Sequence, residues 1–231
     1  MPRSCIVCGE SVSDGEGAVC DLCRLRVPLT QFANDTNNPM VSRLRTYVPI
    51  EGAAALFWYT RDSDWRKMIH RFKYNGAWYS AERMGEWLGR ELHASGNFSD
   101  IDLIVPVPLH PLKRLRRGYN QAEHIARGIG RSMGVKCDFG SLKRTANNTS
   151  QTLQQQAERW ANVESVFRVR SAKGLRGRHI LVVDDVFTTG ATTSSCIETI
   201  VRACQGDVRI SVATLAVSRR LVSEIEDNHE M

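Results

Sequence analysis

The chain has 231 residues, enough for one ordinary domain, or for one domain with a small module attached. A hydrophobic fraction of 42% supplies a packed core, and no apolar run approaches the ~20 residues needed to cross a bilayer, so no membrane-spanning helix and a cytoplasmic protein are expected. The net charge of +6 suits an anionic ligand or nucleic acid, but it is too mild to mark a dedicated nucleic-acid binder.

Four of the seven cysteines lie at the N-terminus, as Cys5-Ile6-Val7-Cys8-Gly9 and Cys20-Asp21-Leu22-Cys23. Two residues between thiolates let both reach one ion from a tight turn, and two such knuckles complete a closed tetrahedral zinc site. The eleven residues between the knuckles are slightly fewer than in the usual zinc ribbon, which fits a compact module. With no open position the site reads as structural, stabilising a module too small for its own core by roughly 10 kcal/mol or more. A redox dithiol pair and an iron–sulfur site are the alternatives. Cys137, Cys196 and Cys204 are scattered and read as small core residues.

Gln31 to Asn38 is polar and reads as a linker or loop, placing a four-cysteine module at 1–40 and a second unit at 41–231. Ala53 to Tyr59 predicts a strand. Trp65, Met68, Ile69 and Phe72 fall at helical spacing, and Asn75-Gly76 breaks that helix. A second helix is expected over Ala81 to His93, with Met84, Leu88 and Leu92 inward and Gly96 past its end. The aromatics here (Trp58, Trp65, Tyr74, Trp78, Tyr79 and Trp87) are either core or the lining of a substrate pocket.

Leu103 to Leu109 begins as a strand that Pro106 and Pro108 must end. The segment from His110 to Gln121 holds Lys113, Arg114, Arg116 and Arg117 and leads into a helix pattern from Ala122 to Met133. A prolyl-rigid turn, a cationic segment and a helix start together suit a di-anionic group such as pyrophosphate; a solvated basic loop is the alternative. Strands are expected at 136–142 and 166–169, flanking a polar stretch from Thr145 to Gln156 that reads as a lid or a disordered segment. Val208 to Val217 is the last strand. Alternation of strands and helices from about residue 100 implies a parallel sheet with helices on its faces.

Ile180-Leu181-Val182-Val183 reads as a buried strand ending in Asp184-Asp185, followed by a hydroxyl-rich turn and a helix from Thr193 to Cys204. Small residues let the backbone approach an anion, Thr188, Thr189, Thr192 and Thr193 add hydroxyl donors, and the helix start carries a partial positive charge. Two carboxylates there suit a ribose diol. The ligand indicated is a phosphorylated ribose. A nucleotide triphosphatase would need a G-x-x-x-x-G-K-[ST] loop, which the chain lacks, and Gly128-Ile129-Gly130 lies in a helix pattern rather than after a strand, against a dinucleotide fold.

The 180–193 stretch resembles the signature of type I phosphoribosyltransferases. With the four cysteines, Val105-Pro106-Val107-Pro108, Arg117-Gly118-Tyr119-Asn120-Gln121, and Gln151, Leu153, Arg159, Asn162-Val163 and Phe167, nearly the whole chain resembles the ComF family of competence-associated, phosphoribosyltransferase-like proteins. Tyr119 stands where that family usually has Phe. The resemblance implies an α/β, type I phosphoribosyltransferase-like parallel sheet flanked by helices, with a hood from about 53–95, a core from about 100–220, and an N-terminal zinc ribbon. It implies that Asp184 and Asp185 hold the ribose hydroxyls of phosphoribosyl pyrophosphate, while Thr188, Thr189, Gly190, Ala191 and Thr192 cradle the 5′-phosphate. Val107, Pro108, Arg116 and Arg117 would neighbour the pyrophosphate, with Mg²⁺ bridging its oxygens. The lid would run over 145–159, with Lys143, Arg144, Gln151 and Arg159 as its cationic and polar groups. Lys143 and Arg144 read equally as ordinary strand-end charges, and His110 more readily as a surface residue than as a general base. Two functions follow: transfer of phosphoribose to an unidentified acceptor, or a non-catalytic accessory of DNA uptake that uses the pocket as a ligand site and contacts single-stranded DNA or DNA-uptake proteins through its basic loops and zinc ribbon.

Overall fold

The computed structural model of the chain describes residues 4–12, 18–60, 63–72, 78–145 and 166–219. In chain order the elements are α1 (Asp21–Leu25), a 3₁₀ turn (Phe32–Asn34), α2 (Pro39–Arg45), β1 (Gly52–Tyr59), α3 (Asp64–Phe72), α4 (Trp78–Ser95), β2 (Leu103–Pro106), α5 (Pro111–Arg117), α6 (Gln121–Met133), β3 (Leu142–Arg144), β4 (Phe167–Val169), β5 (His179–Phe187), α7 (Ala191–Cys204) and β6 (Arg209–Ser218).

Four strands form one parallel sheet in the order β1-β6-β5-β2, and β3 and β4 pair as an antiparallel hairpin. Beyond β2, Lys136 to Asp138 continues the sheet outward: Ile104 N–H donates to Lys136 O at 2.9 Å, and Asp138 N–H donates to Ile104 O at 2.8 Å. This is what remains of the strand expected over 136–142. The ladder is one bridge long, at Cys137, and the chain then turns into β3. The parallel strands are apolar on both sides, as strands covered by helices on both faces must be: Ile180 to Val183 and Val212 to Val217 are all buried.

The connections run in opposite directions from the middle of the sheet. α6 carries the chain from β2 outward to Lys136, whereas α7 carries it from β5 inward to β6. Because such crossovers are right-handed, α6 and α7 fall on opposite faces, and the carboxyl ends of β2 and β5 diverge around a crevice. α6 lies against α4, and α7 against β4 and β5.

The α4–α6 pairing is unusually close. A Cβ on Gly128 would sit 2.0 Å from Glu82 O, and one on Gly85 would sit 2.2 Å from Ile125 O. Both obstacles are helix backbone, which cannot rotate aside. Gly128, read from sequence as part of a helix pattern, is therefore part of the contact surface of two helices, together with Gly85. Beside them Glu82 accepts from His124 Nδ1 at 2.8 Å and Arg131 Nη2 at 2.7 Å. Burial opposes its ionisation, but these two partners outweigh it and hold the carboxyl below its ordinary range.

Three parts of the sequence reading change. The polar stretch 31–38 is packed rather than extended: Phe32 and Ala33 are buried, and Asn38 Nδ2 donates to Phe32 O, Asp35 O and Ala53 O at 3.2, 2.7 and 2.7 Å. Asn38 also caps α2, accepting from Met40 and Val41 N–H at 3.0 and 3.2 Å, with Pro39 in the first turn. His110 to Arg117, read as a turn and a cationic segment before the next helix, is largely a short helix of its own, α5, capped by His110 and stopped by Gly118 at φ 82°. β5 runs on past the acid pair to Phe187 instead of ending at it.

At the amino ends of the strands, buried His179 joins Asp100 (Nδ1 to Oδ1, 2.9 Å) and Ser211 (Nε2 to Oγ, 2.9 Å), while Arg209 Nη2 donates to Asp100 Oδ2 at 2.6 Å. The hydrogen bond from Arg209 and the charge of His179 hold the Asp100 carboxyl below its usual range. A depressed carboxylate stabilises the fold fully above its unfolded value near 3.9 and loses that contribution as pH falls through the folded value. Asp100→Asn should therefore be less stable than the parent at pH 6, with the gap narrowing towards pH 3 in urea titrations; a gap independent of pH would contradict this. Gly128→Ala should cost at least about 2 kcal/mol in urea unfolding at pH 7, because the overlap falls on backbone. Unchanged stability would show that the helices can part.

Candidate functional site

The crevice between β2 and β5 is built from backbone commitments. Val107 N–H donates to Val183 O at 2.8 Å, the last rung between these strands. Pro108 has no N–H to continue the ladder, and Val107 O accepts from Asn120 Nδ2 at 3.0 Å. Asn120 also caps α6, its Oδ1 accepting from Ala122 N–H at 3.2 Å. One side chain thus fixes the prolyl turn to the start of α6. Val107 and Pro108 therefore shape the wall of the crevice, their backbone groups already used.

Past Val183, β5 keeps only β6 as a partner, with Asp184 opposite Thr214 and Val186 opposite Ala216. Asp184 and Asp185 are half-buried, and Asp184 Oδ1 accepts from Asp185 N–H at 2.9 Å. Thr188, Thr189 and Gly190 then turn into α7. Gly190 is the N-cap at φ 80°, a conformation L side chains rarely adopt, and a Cβ there would lie 2.7 Å from the buried Phe187 ring. The N-cap Gly190 offers no capping side chain, so the first turn of α7 presents backbone N–H groups beside exposed Thr188 and Thr192. Thr189 Oγ1 accepts from Ala191 N–H at 3.4 Å. Just inside the helix, buried Ser194 Oγ has no hydrogen-bond partner among the described residues.

Cations reach this loop from two sides. Arg144, on β3, stacks over Phe167 with 5.4 Å from Cζ to the ring centroid. Burial lowers its pKa, and the charge of Asp184 opposes that shift, which places the two groups within electrostatic reach. Lys143 is exposed on the same short strand. Arg43, which the sequence reading missed, donates from Nε to Thr189 O at 3.4 Å and so ties α2 to the loop. The Asn38-Pro39 pair marks the start of α2, but no local signal brings Arg43 to the loop. On α5, Arg116 is exposed and Arg117 is half-buried, donating to Gln121 Oε1 at 3.3 Å. Gln151 and Arg159 lie outside the described residues.

The Arg117–Gln121 motif fastens helices together. Gln121 Nε2 donates to Phe72 O at 3.1 Å, and the hydroxyl of Tyr119 donates to the same carbonyl. Burial pushes that phenol up to about 12. Among the described aromatics of 57–87, Phe57 and Trp65 pack with centroids 5.0 Å apart and Trp65 and Trp87 with centroids 6.3 Å apart, while Tyr74 lies outside the described residues.

At the N-terminus, the sulfurs of Cys5, Cys8, Cys20 and Cys23 lie within 4.8 Å of one another. Val7 and Cys20 N–H groups both donate to Cys5 Sγ at 3.4 Å. Burial raises the Cys5 thiol, but backbone donors from Cys20, Cys8 and Val7 outweigh it and bring it down to about 7. Burial, followed by the neighbouring sulfurs, pushes Cys23 up. Four thiolates this close repel one another unless a cation sits between them, and their number and convergence fit a tetrahedral zinc ion. The cluster is packed onto the main core, for Cys5, Val7 and Val19 share one hydrophobic cluster with Trp65 and Phe72, and Arg71 Nη1 donates to Ile6 O at 3.3 Å.

Fold and site thus define an α/β protein with a switch-point crevice and an appended four-thiol cluster. No family model matches the chain. It is 30% identical over 138 residues to the DNA utilization protein YhgH of Escherichia coli K12, covering 58% of this chain and 60% of that protein. To the competence protein F of Haemophilus influenzae it is 27% identical over 129 residues, covering 54% and 56%. To the competence protein ComFC of Bacillus subtilis it is 25% identical over 195 residues, covering 82% and 74%. The chain spans a little under two thirds of the length of the E. coli relatives it matches. Among solved structures it is similar to the glutamine phosphoribosylpyrophosphate amidotransferase of B. subtilis (TM-score 0.45, 16% identity, covering 63% of this chain and 30% of that one) and the adenine phosphoribosyltransferase of Saccharomyces cerevisiae (TM-score 0.41, 14% identity, covering 69% and 79%). Likenesses at this level carry no argument, and the fold rests on its own strand order. In sequence the chain is thus similar to proteins named for competence and for DNA utilization.

Metal analysis of the purified chain should return about one zinc per molecule, and removing it with a strong chelator should lower the melting temperature, because a closed site stabilises only the folded form. A folded, metal-free preparation with all four cysteines reduced would refute the zinc assignment.

Proposed function

We propose that the crevice between β2 and β5 binds phosphoribosyl pyrophosphate with Mg²⁺, and that the chain transfers phosphoribose to an acceptor in the cytoplasm. The observation that carries this reading is the placement of Asp184 and Asp185 immediately before a glycine-capped helix start, at the switch point of a parallel sheet. In this reading the two carboxylates accept from the ribose hydroxyls. The N–H groups opening α7, with Thr188, Thr189 and Thr192, take the 5′-phosphate. Arg116, Arg117 and Arg144 supply positive charge on the pyrophosphate side, and Mg²⁺, when bound there, would add to the charge stabilisation of the leaving group. Catalysis is then mostly positioning and charge stabilisation as pyrophosphate departs and an oxocarbenium-like ribose develops. Residues 1–40 act as a zinc-stapled module, and residues 41–231 form the ligand-binding unit.

A second reading, a non-catalytic accessory of DNA uptake, is favoured by the names of the relatives, competence and DNA utilization, and by exposed Arg114 and Arg116 on α5. Both readings require the pocket. Millimolar phosphoribosyl pyrophosphate with Mg²⁺ should raise the melting temperature by several degrees. The double substitution Asp184→Asn with Asp185→Asn should abolish that rise without unfolding the chain. Absence of a rise in the parent protein would sink the pocket. Acceptor-dependent pyrophosphate release across a panel of bases and amines favours the enzyme, while salt-sensitive binding of single-stranded DNA with no release favours the accessory.

A further inference from the structure

The peptide joining Thr189 to Gly190 sits at the turn into α7, and the glycine leaves it free to turn over. Gly190 holds φ 80°, and a residue without a Cβ moves between positive and negative φ at little cost. Its orientation matters because a trans peptide is planar, with C=O and N–H pointing in opposite directions. Whichever way Thr189 O faces, Gly190 N–H faces the other. An anion at the start of α7 is attracted by the N–H end and repelled by the C=O end.

The group that sets this orientation comes from far away in sequence. Thr189 O accepts from Arg43 Nε at 3.4 Å, across 146 residues. Arg43 is delivered by a firmly seated helix. Met40, Val41 and Leu44 of α2 are buried, Asn38 caps its start, and the Arg43 guanidinium carbon lies 5.5 Å from the Tyr47 ring centroid. α2 packs against β1, and the order β1-β6-β5-β2 puts β1 on the far side of β5 from the crevice. Arg43 therefore draws the carbonyl away from the crevice, which leaves Gly190 N–H on the crevice side.

We propose that Arg43 is a positioning residue for the anion site: it locks the Thr189–Gly190 peptide with its carbonyl towards α2 and its N–H towards the crevice. The inference rests on the phosphoribose pocket proposed above and concerns how the phosphate end of that pocket is built. Arg43 touches no reacting atom in this scheme. It acts through the backbone, by the hydrogen bond it donates rather than by its charge. Without the lock, Thr189 O is free to turn towards the phosphate ester, and affinity for that ester falls.

The test titrates the full chain with ribose 5-phosphate, which carries the phosphate and the diol but no pyrophosphate, and reads Kd by calorimetry. Arg43→Gln and Arg43→Met each place an atom the same number of bonds from Cα as the Arg43 Nε. In Gln that atom is an amide nitrogen that still donates; in Met it is a methyl carbon. Both variants lose the charge and the contact of guanidinium with Tyr47, so the donor to Thr189 O alone separates them. Arg43→Met should weaken binding at least about fivefold, and Arg43→Gln should stay within about twofold of the parent. Parent-like affinity in Arg43→Met, or Arg43→Gln as weak as Arg43→Met, would overturn the lock. If Arg43→Met does not fold, Arg43→Gln still decides, since a loss beyond about fivefold there assigns the effect to charge. A parent chain that binds no ribose 5-phosphate would overturn the pocket itself, and the lock with it.

Discussion

Everything at the candidate site depends on β5 having two different neighbours along its length. As far as Val183 it is paired on both sides, and its side chains are sealed in the core. After Val183, β2 leaves because Pro108 cannot extend the ladder, while β6 stays paired to Phe187. The backbone of Asp184 and Asp185 is therefore held as firmly as a core strand, yet one edge faces an opening. A carboxylate pair on a loop would have to be ordered by its ligand. Here the sheet has already ordered it, which is how a binding site keeps the entropic cost of association low.

The turn after β5 is fixed from below and from the side. Phe187 packs beneath Gly190, so the loop closes only with a residue that lacks a Cβ and tolerates φ 80°. Arg43 reaches Thr189 O from α2, and α2 itself starts on Asn38, whose amide is spent on β1 and the preceding turn. The N-terminal third is thus mechanically continuous with the crevice. The four-cysteine cluster extends that continuity through Arg71 and through Arg24, whose guanidinium carbon lies 6.0 Å from the Trp87 ring.

The sheet strands, α3, α4, α6 and α7 were legible because apolar periodicity records which face is buried, and these elements have buried faces. α5 was not, because it buries nothing: only its proline, its capping His110 and Gly118 mark it, and its residues look like a basic loop. The stretch 31–38 was misleading for the opposite reason. Asn34 and Asn37 are exposed, but Asn38 is fully buried and spends its amide inside. The acid pair and the threonine loop were readable since their chemistry is local. Arg43 was not, since its closeness to Thr189 spans 146 residues and no spacing rule reaches that far. The glycines of α4 and α6 were visible as glycines, and only the helix crossing explains them.

The most direct test of the central claim is hydrogen–deuterium exchange of the full chain with and without phosphoribosyl pyrophosphate and Mg²⁺. A ligand held as argued here should slow the amides from Thr188 to Thr193, at the carboxyl end of β5 and the start of α7, and leave the amino ends of the strands around His179 unchanged. Exchange at 188–193 that is indifferent to the ligand, or protection confined to other parts of the sheet, would contradict the account.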